Sequence, residues 1–398
     1  MLILSHLTER DRFLQASKVN SLWRRAALKT DIPLLDLTPS GLLGGKFMAM
    51  CGEWLFPISR AKDFSIQAYK HMQKAVGRFF KECPFRINPR NVLQLKIVGV
   101  HFGVLDALVA FMPRLTSLVA SDITDIFADR SQLNEEDLAE LGEWRFASSL
   151  KYLRSLILKR WNVPGMRFPL SNLEELEIEA LFAIKPTDFN QFTGASLAKL
   201  RRFCHRSYPK NLNFTREFHP ELMPQLRELY LTANPRKLGL DFPPDNLEDI
   251  IRSLQCMNLE ILTLDLLALI DPAIRYDSIP PLGRFQNLHT LILNFRGVTY
   301  TLPAGSLAGL SLRTVIITDG RKSYLPELSQ TQSMSLEVMV TRLDDHADEY
   351  SELGKFANLR SLNLSGPFFV KSLKDSFRKL SKLTKLSLCP VFISPPPV

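Results

Sequence analysis

Cysteine is scarce and unpatterned. Cys51, Cys83, Cys204, Cys256 and Cys389 form no Cys-x-x-Cys and leave one over, which argues against a disulfide framework or a zinc site and for a reducing compartment. The seven histidines make no His-Glu-x-x-His or other paired ligand spacing, no Gly-x-Ser-x-Gly occurs, and no cysteine stands in a nucleophile context. No catalytic constellation, metal or cofactor is therefore expected, and the chain reads as a non-enzyme. The run Gly41–Lys46 lacks the Gly-Lys-Ser/Thr ending of a phosphate loop and a buried strand before it, so it reads as a turn. Long apolar stretches are missing as well. The segment ahead of His6, Glu9 and Asp11 is too short for an export signal, and no run is long enough to span a bilayer. A cytoplasmic or nuclear protein without membrane contact is expected. Dense Lys/Arg interleaved with aromatics is likewise missing: a net charge of +9 over 398 residues is a mild excess, read as a solvated surface rather than a nucleic-acid site.

What the chain has in quantity is one hexamer, Leu-x-x-Leu-x-Leu. It is clearest at Leu359-x-x-Leu362-x-Leu364 and recurs around Leu156, Leu176, Leu229, Leu262, Leu291 and Leu386, with weaker copies at Leu95, Leu118, Phe203, Val315 and Met339. Successive anchors lie 20 to 38 residues apart. In Leu-x-Leu, alternate side chains of a short strand point to one face, so Leu362 and Leu364 go inward while Ser361, Asn363 and Ser365 go outward. One such strand cannot bury its leucines alone; a stack of parallel copies can, closed behind by the segment that returns to each next strand. The repeat resembles that of leucine-rich-repeat proteins over most of the chain. The expected fold is an α/β leucine-rich-repeat solenoid, with a curved parallel sheet on the concave side and helices and irregular loops on the convex side. The long returns 120–156 and 231–262 are expected to hold insertions, where loop closure costs little.

Residues 3–27 form a second pattern. Leu4, Leu7, Phe13, Leu14, Val19 and Trp23 suit small amphipathic helices broken at Thr8-Glu9-Arg10-Asp11. The order Ile3-Leu-Ser-x-Leu7, Asp11, Ala16-Ser-x-Val19 and Trp23-Arg-Arg25 resembles an F-box, shortened because the family's opening Leu-Pro and acidic turn have no counterpart. The resemblance implies a Skp-type adaptor as partner, contacted through Leu4, Leu7, Leu14, Val19 and Trp23, and through it a cullin-RING ubiquitin ligase. The competing reading of the segment is a helical cap on the apolar end of the solenoid. The chain divides into an F-box-like segment (1–28), degenerate first repeats with a linker helix (29–90) and the solenoid proper (91–398). Within the middle part, Ile32-x-x-Leu35-x-Leu37 reads as a first strand, and Ala68 to Phe80 has helical spacing.

The outward positions of the strands are the candidate binding surface. Glu177, Arg202, Arg206, Tyr230, Asp265, Ile292 and Ile316 all fall there. The charges among them admit a bland reading, a self-neutralising ladder in which Glu179 lies between Lys159 and Arg206. The Tyr230–Ile316 stretch is read as an apolar anchor for an unidentified target protein, because outward apolar side chains on consecutive strands call for a partner. The cluster Asp344–Glu349 reads as a solvated acidic loop. The lysines from 371 to 385 read as the polar face of an amphipathic cap whose apolar face carries Phe369, Leu373, Phe377 and Leu380. The combined expectation is a substrate receptor of a cullin-RING ubiquitin ligase. The alternative is a leucine-rich-repeat scaffold with no ligase role.

Overall fold

The computed structural model describes residues 34–41, 43–49, 74–81, 88–123, 150–161, 171–180, 197–207, 223–233, 258–266, 281–294, 305–318, 324–342, 351–366 and 373–390. They fall in two compact units, Met1–Lys199 and Leu200–Val398. The F-box-like segment, the acidic cluster at 344–349 and residues 124–149 and 234–257 of the two long returns lie outside the described residues.

The first unit carries β1 (Leu35–Asp36), β2 (Gln94–Val98), β3 (Ser117–Ser121), β4 (Ser155–Trp161) and β5 (Glu175–Ala180). Each pairs in parallel with the next, and the register sets Leu35, Leu95, Leu118, Leu156 and Leu176 side by side. The second unit carries β6 (Arg202–Ser207), β7 (Glu228–Ala233), β8 (Ile261–Leu266), β9 (Thr290–Asn294), β10 (Thr314–Thr318), β11 (Val338–Arg342), β12 (Ser361–Gly366) and β13 (Lys385–Pro390). Here Phe203, Leu229, Leu262, Leu291, Val315, Met339, Leu362 and Leu386 align in one row. Every anchor read from the hexamer therefore lies beside its successor within its unit. All but Leu386 are exposed by 1% or less. Burying each contributes roughly 2 kcal/mol, and a slip of one residue would turn the whole row outward.

The first leucine of each hexamer has its own job. Leu115, Leu153, Leu173, Leu226, Leu259, Leu288 and Leu359 are buried just ahead of their strands. The two N–H groups that follow converge on one carbonyl of the preceding repeat: Thr116 and Ser117 on Leu93, Glu174 and Glu175 on Arg154, Arg360 and Ser361 on Glu337. The two x positions thus satisfy backbone donors and steer the chain into the sheet. Polar side chains stitch the same turns. Asn172 Nδ2 donates to Lys151 O at 2.8 Å and accepts from Lys199 Nζ at 2.7 Å, and Asn358 repeats this with Met334 O and Lys382 Nζ.

Behind the strands lie short returns. Helix Phe102–Ala110 is buried from Phe102 to Val109. Helix Leu325–Gln332 buries Leu325 and Leu328 and inserts Gln332, whose Oε1 accepts from Leu312 N at 3.0 Å while Nε2 donates to Leu307 O at 3.0 Å. Neighbouring returns approach closely at Gly283, where a Cβ would lie 2.5 Å from Ala308 O. At the start of the sheet, Leu35 and Leu37 are fully buried, and Phe47, Phe79, Phe80 and Phe111 form a chain of ring contacts 5.3 to 5.9 Å between centroids. The strand read at Leu35 and the helical spacing before Phe80 are both present, the latter over its described residues 74–81. The turn expected at Gly41–Lys46 is confined to its start, since residues 44–49 are helical; a Cβ on Gly44, the first residue of that helix, would lie 1.6 Å from Thr38 O. No helix among the described residues is long and apolar enough to cross a membrane.

Candidate functional site

The outward face of the second unit brings three of the candidate residues into contact. Tyr230, at the centre of β7, donates its hydroxyl to Asp265 Oδ2 on β8 at 3.0 Å. The Arg206 guanidinium, from β6, lies over the Tyr230 ring at 5.0 Å from its centroid. A phenol that donates to a carboxylate while its ring faces a cation is held at both ends, so Tyr230 is pre-oriented. Asp265 is only 3% exposed and Arg206 is exposed. The cluster presents a cation and an aromatic edge outward, with its acid beneath.

From Tyr230 the same register row runs through Thr263, Ile292 and Ile316 to Val340. All four are partly exposed. Flanking them on the same face are Ile261, Thr290, Thr314 and Val338, also partly exposed. Of the outward residues of β8 to β11, only Asp265 and Arg342 carry charge, in a chain where 23% of residues are charged. This is a largely β-branched, almost uncharged surface. Val338 and Val340 extend the patch beyond Ile316 and were not among the candidates, although the alternation in Val338–Arg342 marks them by the same rule.

The other candidates stand apart from this cluster. Arg202 pairs with Glu228 at 3.4 Å, one row nearer the strand starts. Glu177 belongs to the first unit, is 6% exposed and faces Lys159 Nζ at 3.7 Å. Lys159 thus reaches Glu177 rather than its register partner Glu179. Further pairs continue the self-neutralising pattern at the strand starts, Arg154 with Glu174 at 3.8 Å and Arg227 with Glu260 at 3.0 Å. Cys204 stands between Arg202 and Arg206 at an outward position of β6 yet is buried: it is a small side chain whose register partner is the bulky Tyr230. Its neighbour His205 fills an inward leucine position beside Leu231, 6.4 Å from the Phe203 ring. Burial there lowers its pKa to about 3, so the imidazole is a neutral core group rather than a surface base. Leu4, Leu7, Leu14, Val19 and Trp23 lie outside the described residues.

Consecutive Leu-x-x-Leu-x-Leu segments form parallel strands in register. The fold is a leucine-rich-repeat fold. No family model matches the chain, and no curated protein matches it in sequence. Solved structures that resemble it include an internalin from Listeria monocytogenes, at 14% identity and a TM-score of 0.43 over 80% of this chain and 88% of that one. Rad7 from yeast, solved in complex with Elc1, is 18% identical with a TM-score of 0.41, over 88% of this chain and 87% of that one. The leucine-rich-repeat ectodomain of a plant membrane receptor kinase from Arabidopsis thaliana, in complex with Casparian strip integrity factor 2, is 15% identical with a TM-score of 0.35. That match covers 75% of this chain and 38% of the other.

Proposed function

We propose that the chain is a protein-binding leucine-rich-repeat subunit that serves as a substrate receptor of a cullin-RING ubiquitin ligase. The observation that carries the binding role is the almost uncharged β-branched surface of β8 to β11, bordered by the pre-oriented Arg206–Tyr230–Asp265 cluster. A wide surface with one aromatic anchor and a polar rim is the anatomy of a macromolecular contact rather than of a reaction site. The ligase role rests on the F-box-like order of residues 3–27, which implies a Skp-type adaptor. In this reading the chain has no catalytic residue and no cofactor. It acts in the cytoplasm or nucleus by holding a target protein near a ubiquitin-charged enzyme, so its contribution to rate is positioning. A scaffold without ligase function uses the same surface but no adaptor.

Co-purification with a Skp-type adaptor separates the two. The full chain is expected to retain the adaptor and Trp23→Ala to lose it; no retention by either chain removes the ligase role and leaves the scaffold. The binding surface is tested separately. Tyr230→Asp sets a second carboxylate beside Asp265 and is expected to abolish target capture by the full chain while the fold, read by circular dichroism, stays that of the parent. Unchanged capture removes this surface from the proposal.

A further inference from the structure

The charges that border the β8–β11 surface do not cancel. Just ahead of the strands of the second unit stand four arginines, Arg201, Arg227, Arg313 and Arg360, against two carboxylates, Glu260 and Glu337. Arg227 takes Glu260 at 3.0 Å, and Arg360 takes Glu337 at 3.9 Å. Arg201 and Arg313 are left over. Both are exposed, and no carboxylate among the described residues pairs with either.

Arg313 stands at the strand-start border of the patch. It immediately precedes β10; its N–H donates to His289 O ahead of β9 at 2.8 Å, and its carbonyl accepts from Glu337 N ahead of β11 at 2.9 Å. The imidazole beside it is engaged, with His289 Nδ1 2.9 Å from Thr290 Oγ. Ile316 lies three residues further along the chain, about 10 Å away in a strand. A guanidinium with uncommitted N–H donors thus borders the β-branched row. The outward faces of the two units also differ in sign. On β5 of the first unit the outward residues are Glu175, Glu177 and Glu179. Among the described residues of the second unit the outward carboxylates are Glu228, paired with Arg202 at 3.4 Å, and the buried Asp265. An acidic occupant is repelled by the first of these faces and drawn to the second.

We propose that the segment of the target protein seated on β8 to β11 is acidic. Its apolar side chains cover Ile292, Ile316 and Val340, and a carboxylate of the same segment meets Arg313 at the strand starts. The inference rests on the binding role proposed above and adds the chemistry of the occupant. Covering the β-branched row supplies the affinity. An exposed ion pair contributes too little for that; it fixes the orientation of the segment and disfavours basic competitors.

The probe is a phage-displayed library of random peptides of about twelve residues, long enough to cross the surface when extended, selected on the immobilised full chain. The recovered peptides are expected to combine apolar residues with Asp and Glu, the acids enriched about twofold or more over the unselected library. Selection on Arg313→Glu, a change confined to an exposed side chain, is expected to lose that enrichment or turn it toward Lys and Arg. Ile316→Asp and Thr314→Asp, outward substitutions that leave the inward row intact, are each expected to recover none of these peptides. Uncharged apolar peptides that both variants lose would keep the surface and overturn its acidic preference. Acidic peptides that still bind both variants overturn the surface and the preference together, as does a selection that enriches nothing. An acidic enrichment unchanged by Arg313→Glu places the carboxylate elsewhere and overturns the proposal. Concentration-dependent dimerisation that Ile316→Asp abolishes assigns the surface to a second copy and equally overturns it.

Discussion

His205 shows how a single residue can carry a condition-dependent stability. Its folded pKa of about 3 lies below the ordinary 6.5, so the unfolded chain binds a proton that the folded chain refuses. The stability tied to the neutral imidazole is complete above about pH 6.5 and is lost as pH falls from there toward 3. At pH 5 the loss is about 2 kcal/mol. Urea unfolding at pH 7.5 and pH 5 is expected to show that loss in the parent chain and a smaller one in His205→Leu, whose leucine continues the inward row. An equal pH dependence in both would place the titration elsewhere. Gln332 carries a cost of another kind. Its amide is buried and bonds the backbone of Leu307 and Leu312, so Gln332→Ala leaves the Leu312 N–H without this partner, while Leu307 O keeps its bond from Leu310 N. A loss of about 1 to 3 kcal/mol in urea unfolding is expected; a loss of a few tenths would mean the site admits water.

At the scale of the element, each strand has two faces under different control. Inward, the leucine period of two sets register, and Leu362→Ala at a fully packed anchor is expected to cost about 2 to 5 kcal/mol in denaturant unfolding. Outward, the strands are free to vary, and they divide by charge. β4 to β7 carry acids and bases that pair locally, Lys159 with Glu177 and Arg202 with Glu228. β8 to β11 carry mostly valine, isoleucine and threonine in the same positions, with Asp265, Asn294 and Arg342 at the strand ends. The hexamer spacing made the inward rows readable in advance, down to the degenerate copies Phe203, Val315 and Met339. The candidate surface was readable in part: Tyr230, Ile292 and Ile316 follow from alternation alone. The contact between Arg206 and Tyr230, and the covering of Asp265, depend on rotamers and neighbouring strands and have no local signal.

For the whole molecule, the net charge of +9 coexists with a ladder of opposite charges along the strand starts. Arg154–Glu174, Arg227–Glu260 and Glu337–Arg360 all have substantially exposed partners. Such pairs contribute about 0 to 1 kcal/mol each and are screened by salt. Raising sodium chloride from about 0.05 to about 0.5 M is therefore expected to change unfolding free energy by less than about 2 kcal/mol, read from urea titrations at both salts. A larger loss would make the ladder a principal source of stability rather than a means of keeping the sheet soluble.

The sequence by itself determined the repeat, the inward rows and the parallel pairing, because a period of two and a recurring hexamer leave one way to bury the leucines. Tertiary structure alone decided which chemically similar positions are accessible. Glu177, Cys204 and Asp265 share outward positions with exposed residues yet are covered, and Leu386 shares an anchor row with buried leucines yet is open. Exposure belongs to whatever the neighbouring strands and returns place alongside, and no window of local sequence contains that information.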